Sequence, residues 1–225
     1  MKICELFSTI QGETVGSNFG TGFPTIFVRV SGCDIGCLYC DTQYAKTEPG
    51  TEMSPSEIVD KCLTYSFRRV CLSGGNPDAV PEAELRDLLL HLKAHNFWVT
   101  VEASGQCNPK RFMLADSVVM DVKTISAGKV AQAKTENSIE YISYLRKQDQ
   151  VKFVIQSRED YDTMAHAYIT NRSSQSPQFL ASPMFDKTGK HNAAQIAAWI
   201  LQDGYDIVLN LQIHKLVWDV NARGR

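Results

Sequence analysis

"TIFVRVSGCDIGCLYCDT", residues 25–42, runs a β-rich stretch directly into three cysteines in a Cys-x3-Cys-x2-Cys array. Residues 25–30 are rich in β-branched and aromatic side chains, which predicts a strand. Cys33, Cys37 and Cys40 then place three soft ligands close together, and the next cysteine is Cys62. A closed structural zinc site takes four protein ligands, whereas a catalytic one keeps a position open. Asp41 or a distant histidine would complete a zinc shell. The other reading is a four-iron cluster, which normally takes four thiolates. Held by three, it leaves one iron open to a substrate or cofactor. Spacing alone allows both.

Moving outward, strand-like and helix-like stretches alternate along most of the chain. A short leading strand near Lys2–Phe7 precedes the quoted segment. "SPSEIVDKCLTY" predicts a helix with Ser54 as N-cap, Pro55 at the first helical position and Glu57 closing a capping box. Strands follow at 70–72, 97–102, 117–121, 151–155, 178–181 and 207–213. Helices are expected at 81–95, near 138–148, near 159–170 and at 192–201, the last with Asn192 and Gln195 as a capping pair. Such alternation predicts a mostly parallel sheet covered by helices. A full eight-unit barrel typically needs about 250 residues. With 225 residues and one very short strand, a partial, open (β/α) barrel forming one domain over 1–225 is the expected architecture.

The unusual residues fall at one end of these strands. "SGCDIGCLYCDT" follows 25–30, "SGGNP" (73–77) follows 70–72, and "EASG" (102–105) closes the next strand. "DVK" (121–123), "SPMF" (182–185) and "HK" (214–215) do the same further along. In parallel α/β folds all those ends share one face, where binding sites collect. Chance scatter would have spread them over both ends. "SGGNP" alone reads equally well as a turn.

Composition narrows the classes. A hydrophobic fraction of 44%, a charged fraction of 21% and a net charge of −2 describe an ordinary globular chain with no electrostatic footprint for nucleic acid. No apolar run is long enough to span a membrane, and the N-terminus lacks a signal-peptide pattern, so a cytoplasmic protein is expected. Seven cysteines, three of them clustered, point in a reducing compartment to metal or redox chemistry. Cys4, Cys62, Cys71 and Cys107 read as small buried hydrophobes. His91 and His95, and the charges of "KTENSIEYISYLRKQDQ" (134–150), read as solvated helix faces.

With Tyr39 before the last cysteine, the Cys33–Cys37–Cys40 array resembles the cluster motif of the radical S-adenosylmethionine (SAM) superfamily. "SGGNP" resembles its glycine-rich SAM-binding element, with Asn76 where Glu is more frequent. "LFSTIQGET", "FVRVSGCDIGCLYCDT", "LSGGNP", "VEASG" and "LQIHK", in order along nearly the whole chain, are similar to the 7-carboxy-7-deazaguanine synthase family. That resemblance implies a [4Fe-4S] cluster on the three cysteines, SAM on its open iron and Mg²⁺ on Thr42. It implies a radical lyase that contracts 6-carboxy-5,6,7,8-tetrahydropterin to 7-carboxy-7-deazaguanine with loss of ammonia. An external flavodoxin- or ferredoxin-like electron donor and a homodimer are family expectations.

The resemblance also assigns residues. SAM contacts are implied at Tyr39, Asp41, Gly74, Gly75, Asn76, Glu102, Ser104, Asp121, Lys123 and Ser182. Substrate contacts are implied at Ile10, Gln11, Gly12, Glu13, Arg29, Ser73, His214 and Lys215. The physics suits these roles: a Gln amide pairs donor and acceptor with a pterin edge, and a guanidinium grips a carboxylate bidentately. "QGET" also reads as an ordinary loop, Arg29 as an exposed strand residue, and Asp41 as a cap of the next helix. Asp121-Val122-Lys123 stands where many members carry Ser-Pro-Lys, and Ser182 where Gln is frequent. The chain continues ten residues past Lys215, so no terminal-carboxylate contact is carried over. Two other readings remain: a different small radical SAM enzyme such as a glycyl-radical activase, and a non-enzymatic zinc-binding module.

Overall fold

Every run marked as extended in the sequence pairs into one sheet in the computed structural model, which describes residues 1–13 and 20–224. The strands are β1 (Lys2–Ile10), β2 (Pro24–Val30), β3 (Thr51–Glu52), β4 (Arg69–Gly74), β5 (Trp98–Ala103), β6 (Ser117–Val122), β7 (Gln150–Ile155), β8 (Gln178–Pro183) and β9 (Val208–Leu209). Their order is β3-β1-β2-β4-β5-β6-β7-β8-β9. From β2 to β9 all neighbours are parallel, and β1 joins antiparallel to β2 and to the two-residue β3. The architecture is an open, partial (β/α) barrel.

The helices that return the chain between parallel strands are α2 (Pro55–Leu63), α3 (Glu82–Ala94), α6 (Arg158–Asn171) and α7 (Ala193–Asp203). Each lays an apolar stripe on the outer face of the sheet. Val28 and Val30, Val70 and Leu72, Val99 and Val101, Val118 and Met120, and Val151 and Phe153 all point there. They join Leu85, Leu88, Leu89 and Leu92 of α3 and Tyr161 and Met164 of α6 in one core. The capping box of α2 forms as its sequence promised: Glu57 N–H donates to Ser54 Oγ at 3.3 Å, and Ser54 N–H to Glu57 Oε2 at 2.8 Å.

Strand alternation sends the intervening residues to the inner face. There stand Arg29, Ser73, Glu102, Asp121, Lys152 and Ser182, one from each of β2, β4, β5, β6, β7 and β8. A parallel sheet buried on both faces normally reads as continuous apolar runs. This one keeps a polar inner face, which is the mark of a site. The C-terminal segment crosses the open side. Arg223 forks onto Glu48 at 2.6 and 2.7 Å, approaches Glu5 at 3.4 Å and stacks on Tyr44.

Several expectations are corrected. The segment near 138–148 is not one helix but a short α5 (Ser138–Tyr141) running into a 3₁₀ turn. Its charges are not all solvated: Asp149 is fully buried, clasped by Arg146 and accepting Val118 N–H at 2.9 Å, so the pair pins the starts of β6 and β7. The run 207–213 pairs only at β9, and α8 (Ile213–Val217) begins inside it. Asn192 makes no side-chain cap; its amide donates instead to Gln156 O at 3.1 Å. Two further helices, α1 (Tyr44–Thr47) and α4 (Lys129–Lys134), carry patterns too short to read by periodicity. Thr14 of the N-terminal motif lies outside the described residues.

Candidate active site

The cysteine loop leaves β2 and docks on the 3₁₀ turn Ile125–Ala127 and on α4. Ile35, Ala127 and Ala131 form a separate small core, with Cys33, Cys37 and Tyr39 packed around it. Leu38 N–H donates to Ala127 O at 3.0 Å. The three cysteines are free, half-buried thiols presented by one loop. Burial raises the thiols of Cys37 and Cys40 above the ordinary range, so metal binding would have to release their protons.

The glycine pair of β4 lies directly beneath this loop. A Cβ at Gly75 would sit 2.1 Å from Gly32 O, and Gly75 N–H donates to Val30 O at 2.8 Å. Gly74 has a φ of +119°, and a Cβ there would lie 2.5 Å from Val30 N. Close approach of two strand-end backbones, which only glycine permits, therefore demands "GG" before any ligand is considered.

Three polar clusters spread across the inner face. In the first, Arg29 Nη1 donates to Thr42 Oγ1 at 3.2 Å, Thr42 donates to Asp41 Oδ1 at 2.9 Å, and Lys215 Nζ pairs with Asp41 Oδ2 at 2.6 Å. Arg29 also ion-pairs with Glu5 at 2.8 Å. Desolvation works to raise the Asp41 carboxyl, although the side chain keeps 44% exposure; Lys215 overrides it and holds the group well below the usual carboxylate range. Asp41 caps no helix: α1 begins after Gln43 without a side-chain cap. His214 lies close by, its imidazole lowered by burial.

In the second cluster, Ser73 Oγ donates to Glu102 Oε2 at 2.6 Å and Cys71 Sγ approaches Glu102 Oε1 at 3.3 Å. The third joins β1's exit to the middle of the sheet. Lys152 Nζ binds both Glu13 oxygens at 2.8 and 2.9 Å, lies 3.6 Å from Asp121 Oδ2, and Lys123 reaches the same Asp121 oxygen at 2.8 Å. Gln11 and Glu13 are buried, and Gly12 packs 3.3 Å from Ile213 N by its would-be Cβ. Ile10 ends β1 beside them. Ser182 is buried and accepts from Asn210 at 2.9 Å.

Asn76 and Ser104 belong to a further cluster. Asn76 donates to Gln106 Oε1 at 2.8 Å, and Ser104 donates through Oγ and N–H to Asp78 Oδ2 at 2.6 and 2.8 Å. Asp78 thus ties the β4 and β5 loops together. Lys152, Asp78 and Asn210 escaped the sequence reading. The signal for Lys152 was a lone charge inside the apolar run "VKFVI".

Among the described residues, no three His, Cys, Asp or Glu side chains converge on a single-ion site. A four-iron cluster asks for a different donor set, thiolates that each grip a separate iron, and the three-cysteine loop offers it. Buried polar atoms without a formed hydrogen bond, Tyr39 Oη and Asp121 Oδ1, fit a polar ligand beside that loop. The residues present therefore fit a three-thiolate cluster with SAM next to it.

Residues 27–155 match the Radical SAM superfamily, so fold and site define a radical SAM protein. The synthase of Methanospirillum hungatei named 7-carboxy-7-deazaguanine synthase is 32% identical over 217 residues, covering 96% of this chain and 85% of that one. Its namesake from Koribacter versatilis is 33% identical over 242 residues, with both chains fully covered. The solved structure of QueE from Escherichia coli aligns with a TM-score of 0.61 over 92% of each chain at 19% identity, which supports the fold. The chain belongs to the 7-carboxy-7-deazaguanine synthase family.

No helix among the described residues is long and apolar enough to cross a membrane.

Proposed function

We propose that the chain is a radical SAM lyase that converts 6-carboxy-5,6,7,8-tetrahydropterin to 7-carboxy-7-deazaguanine, releasing ammonia, in queuosine-type 7-deazapurine synthesis. The observation that carries this reading is the meeting of Gln11–Glu13, Arg29, Thr42, Ser73 and Glu102 on one polar face beside the three-cysteine loop. When bound, the reduced cluster and SAM supply the radical chemistry.

The chain's own groups bind and orient. Arg29 presents a guanidinium to the substrate carboxylate. Thr42 would offer one hydroxyl oxygen to Mg²⁺, a cation that commonly takes few protein ligands. Gln11 and Glu13 face the aminopyrimidinone edge of the pterin with amide and carboxylate. Glu102, which accepts from Ser73, and Asp121, paired with Lys123, would serve SAM. Lys215 on α8, paired with Asp41, and His214 beside it would contact the substrate and help exclude water. An electron donor of flavodoxin or ferredoxin type would serve the cluster from outside.

The test is anaerobic turnover with SAM, Mg²⁺, a chemical reductant and carboxytetrahydropterin, followed by detection of the deazaguanine product with SAM regenerated. Cluster-replete protein that cleaves SAM yet leaves the pterin unchanged would defeat this reading in favour of another radical enzyme. Thr42→Ala should lose most of the Mg²⁺ activation while retaining its iron and sulfide; an unaltered Mg²⁺ response would remove Thr42 from the metal.

A further inference from the structure

Lys152 is a buried cation of the inner face to which the motifs give no role. It is 8% exposed on β7, between Val151 and Phe153 of the core. An ammonium there is unfavourable unless paired, and an apolar residue would satisfy the strand. Its partner is Glu13, 139 positions away in sequence, gripped through both carboxylate oxygens at 2.8 and 2.9 Å. Gln11, in the same segment, spends its Oε1 on the Gly12 and Glu13 N–H groups at 2.9 and 3.2 Å. The local turn is therefore shaped by Gln11, while Glu13 fastens it to the sheet.

We propose that Lys152 is a positioning residue for the pterin: by clamping Glu13 it sets where the Gln11–Gly12–Glu13 segment stands over the inner face. The inference rests on the functional reading above. A pterin presents adjacent N–H donors and a carbonyl acceptor on its pyrimidinone edge, and a displaced carboxylate cannot meet them. The clamp also governs protonation. The groups facing Glu13 are Lys152 on β7, Asp121 on β6, Glu102 on β5 and Cys71 on β4, with Lys123 and Tyr39 one shell further out. Burial lifts the Glu13 carboxyl above its ordinary value while the Lys152 ammonium pulls it back down. Without the ammonium the carboxyl rises further, so its ionisation moves to higher pH.

Lys152→Met and Lys152→Arg, each checked for iron content and melting temperature, test this. Losing one partner of a buried charge pair should raise KM for carboxytetrahydropterin by about 30-fold in Lys152→Met, with a much smaller change in kcat. The acid limb of kcat/KM should move to higher pH in Lys152→Met and return in Lys152→Arg. Glu13→Gln should raise KM similarly and flatten that limb, and Lys152→Met on top of it should add little. If Lys152→Met fails to fold, Lys152→Gln reads the same quantities. An unchanged KM and acid limb, or fully additive effects in the double variant, would overturn the assignment. Wild-type protein that never converts the pterin would defeat the functional reading instead, which separates the two failures.

Discussion

The two faces of the same strands were built under opposite rules. On the outer face, Val70, Leu72, Val99, Val101, Val151 and Phe153 are almost wholly buried in one apolar core. One residue along each strand, the inner face carries Ser73, Glu102 and Lys152, tied into ion pairs and charge-assisted hydrogen bonds. The outer face supplies stability by removing hydrocarbon from water. The inner face places charges at some cost in stability, because pairing only partly offsets desolvation. A period of two lets one strand carry stability on one face and a site on the other.

The comparison can be pressed from either side. The largest expected effect is at the mouth of the inner face: Cys37→Ala should retain no cluster and cleave no SAM, with its circular dichroism unchanged. A Cys37→Ala protein that still cleaves SAM would show that the three-thiolate assignment is wrong. Next, Phe153→Ala on the outer face should cost about 3–5 kcal/mol of stability by opening a cavity against Phe179, read by denaturant unfolding. Glu102→Gln, its inner-face counterpart, should leave unfolding nearly unchanged and lower kcat/KM about ten-fold or more. If Glu102→Gln destabilises as strongly as Phe153→Ala, the division of labour between the faces fails. The smallest effect belongs to neither face: Ser54→Ala should cost about 1 kcal/mol through the α2 cap and leave turnover untouched.

Much of this was legible in the chain. β-branched runs, the Ser54 box and the strong amphipathic pattern of α3 located most elements because their signals are local. The convergence of strand ends was also legible, since a parallel sheet places all C-terminal ends together. What failed were features defined by distant partners. "IVLNLQI" looks like a long strand, yet only Val208 and Leu209 are in strand register with β8, and Asn210 adds a last pair of bonds to it before the chain turns into α8. Arg146 and Asp149 look like a wet surface, yet they clasp the buried starts of β6 and β7. The motifs around Asn76 and Ser104 likewise gave no sign that both hydrogen-bond into a knot with Asp78 and Gln106.

The three-thiol loop, the glycine pair and the alternation of strand and helix are written in the chain, because each depends on residues within a few positions of one another. That Lys152 clamps Glu13, that Lys215 meets Asp41 beside Thr42, and that Gly75 lies against Gly32 emerges only on folding. Those contacts join segments far apart in the chain. Their energies, from the desolvation of a charge to the overlap of two backbones, do not exist until the sheet has brought the segments together.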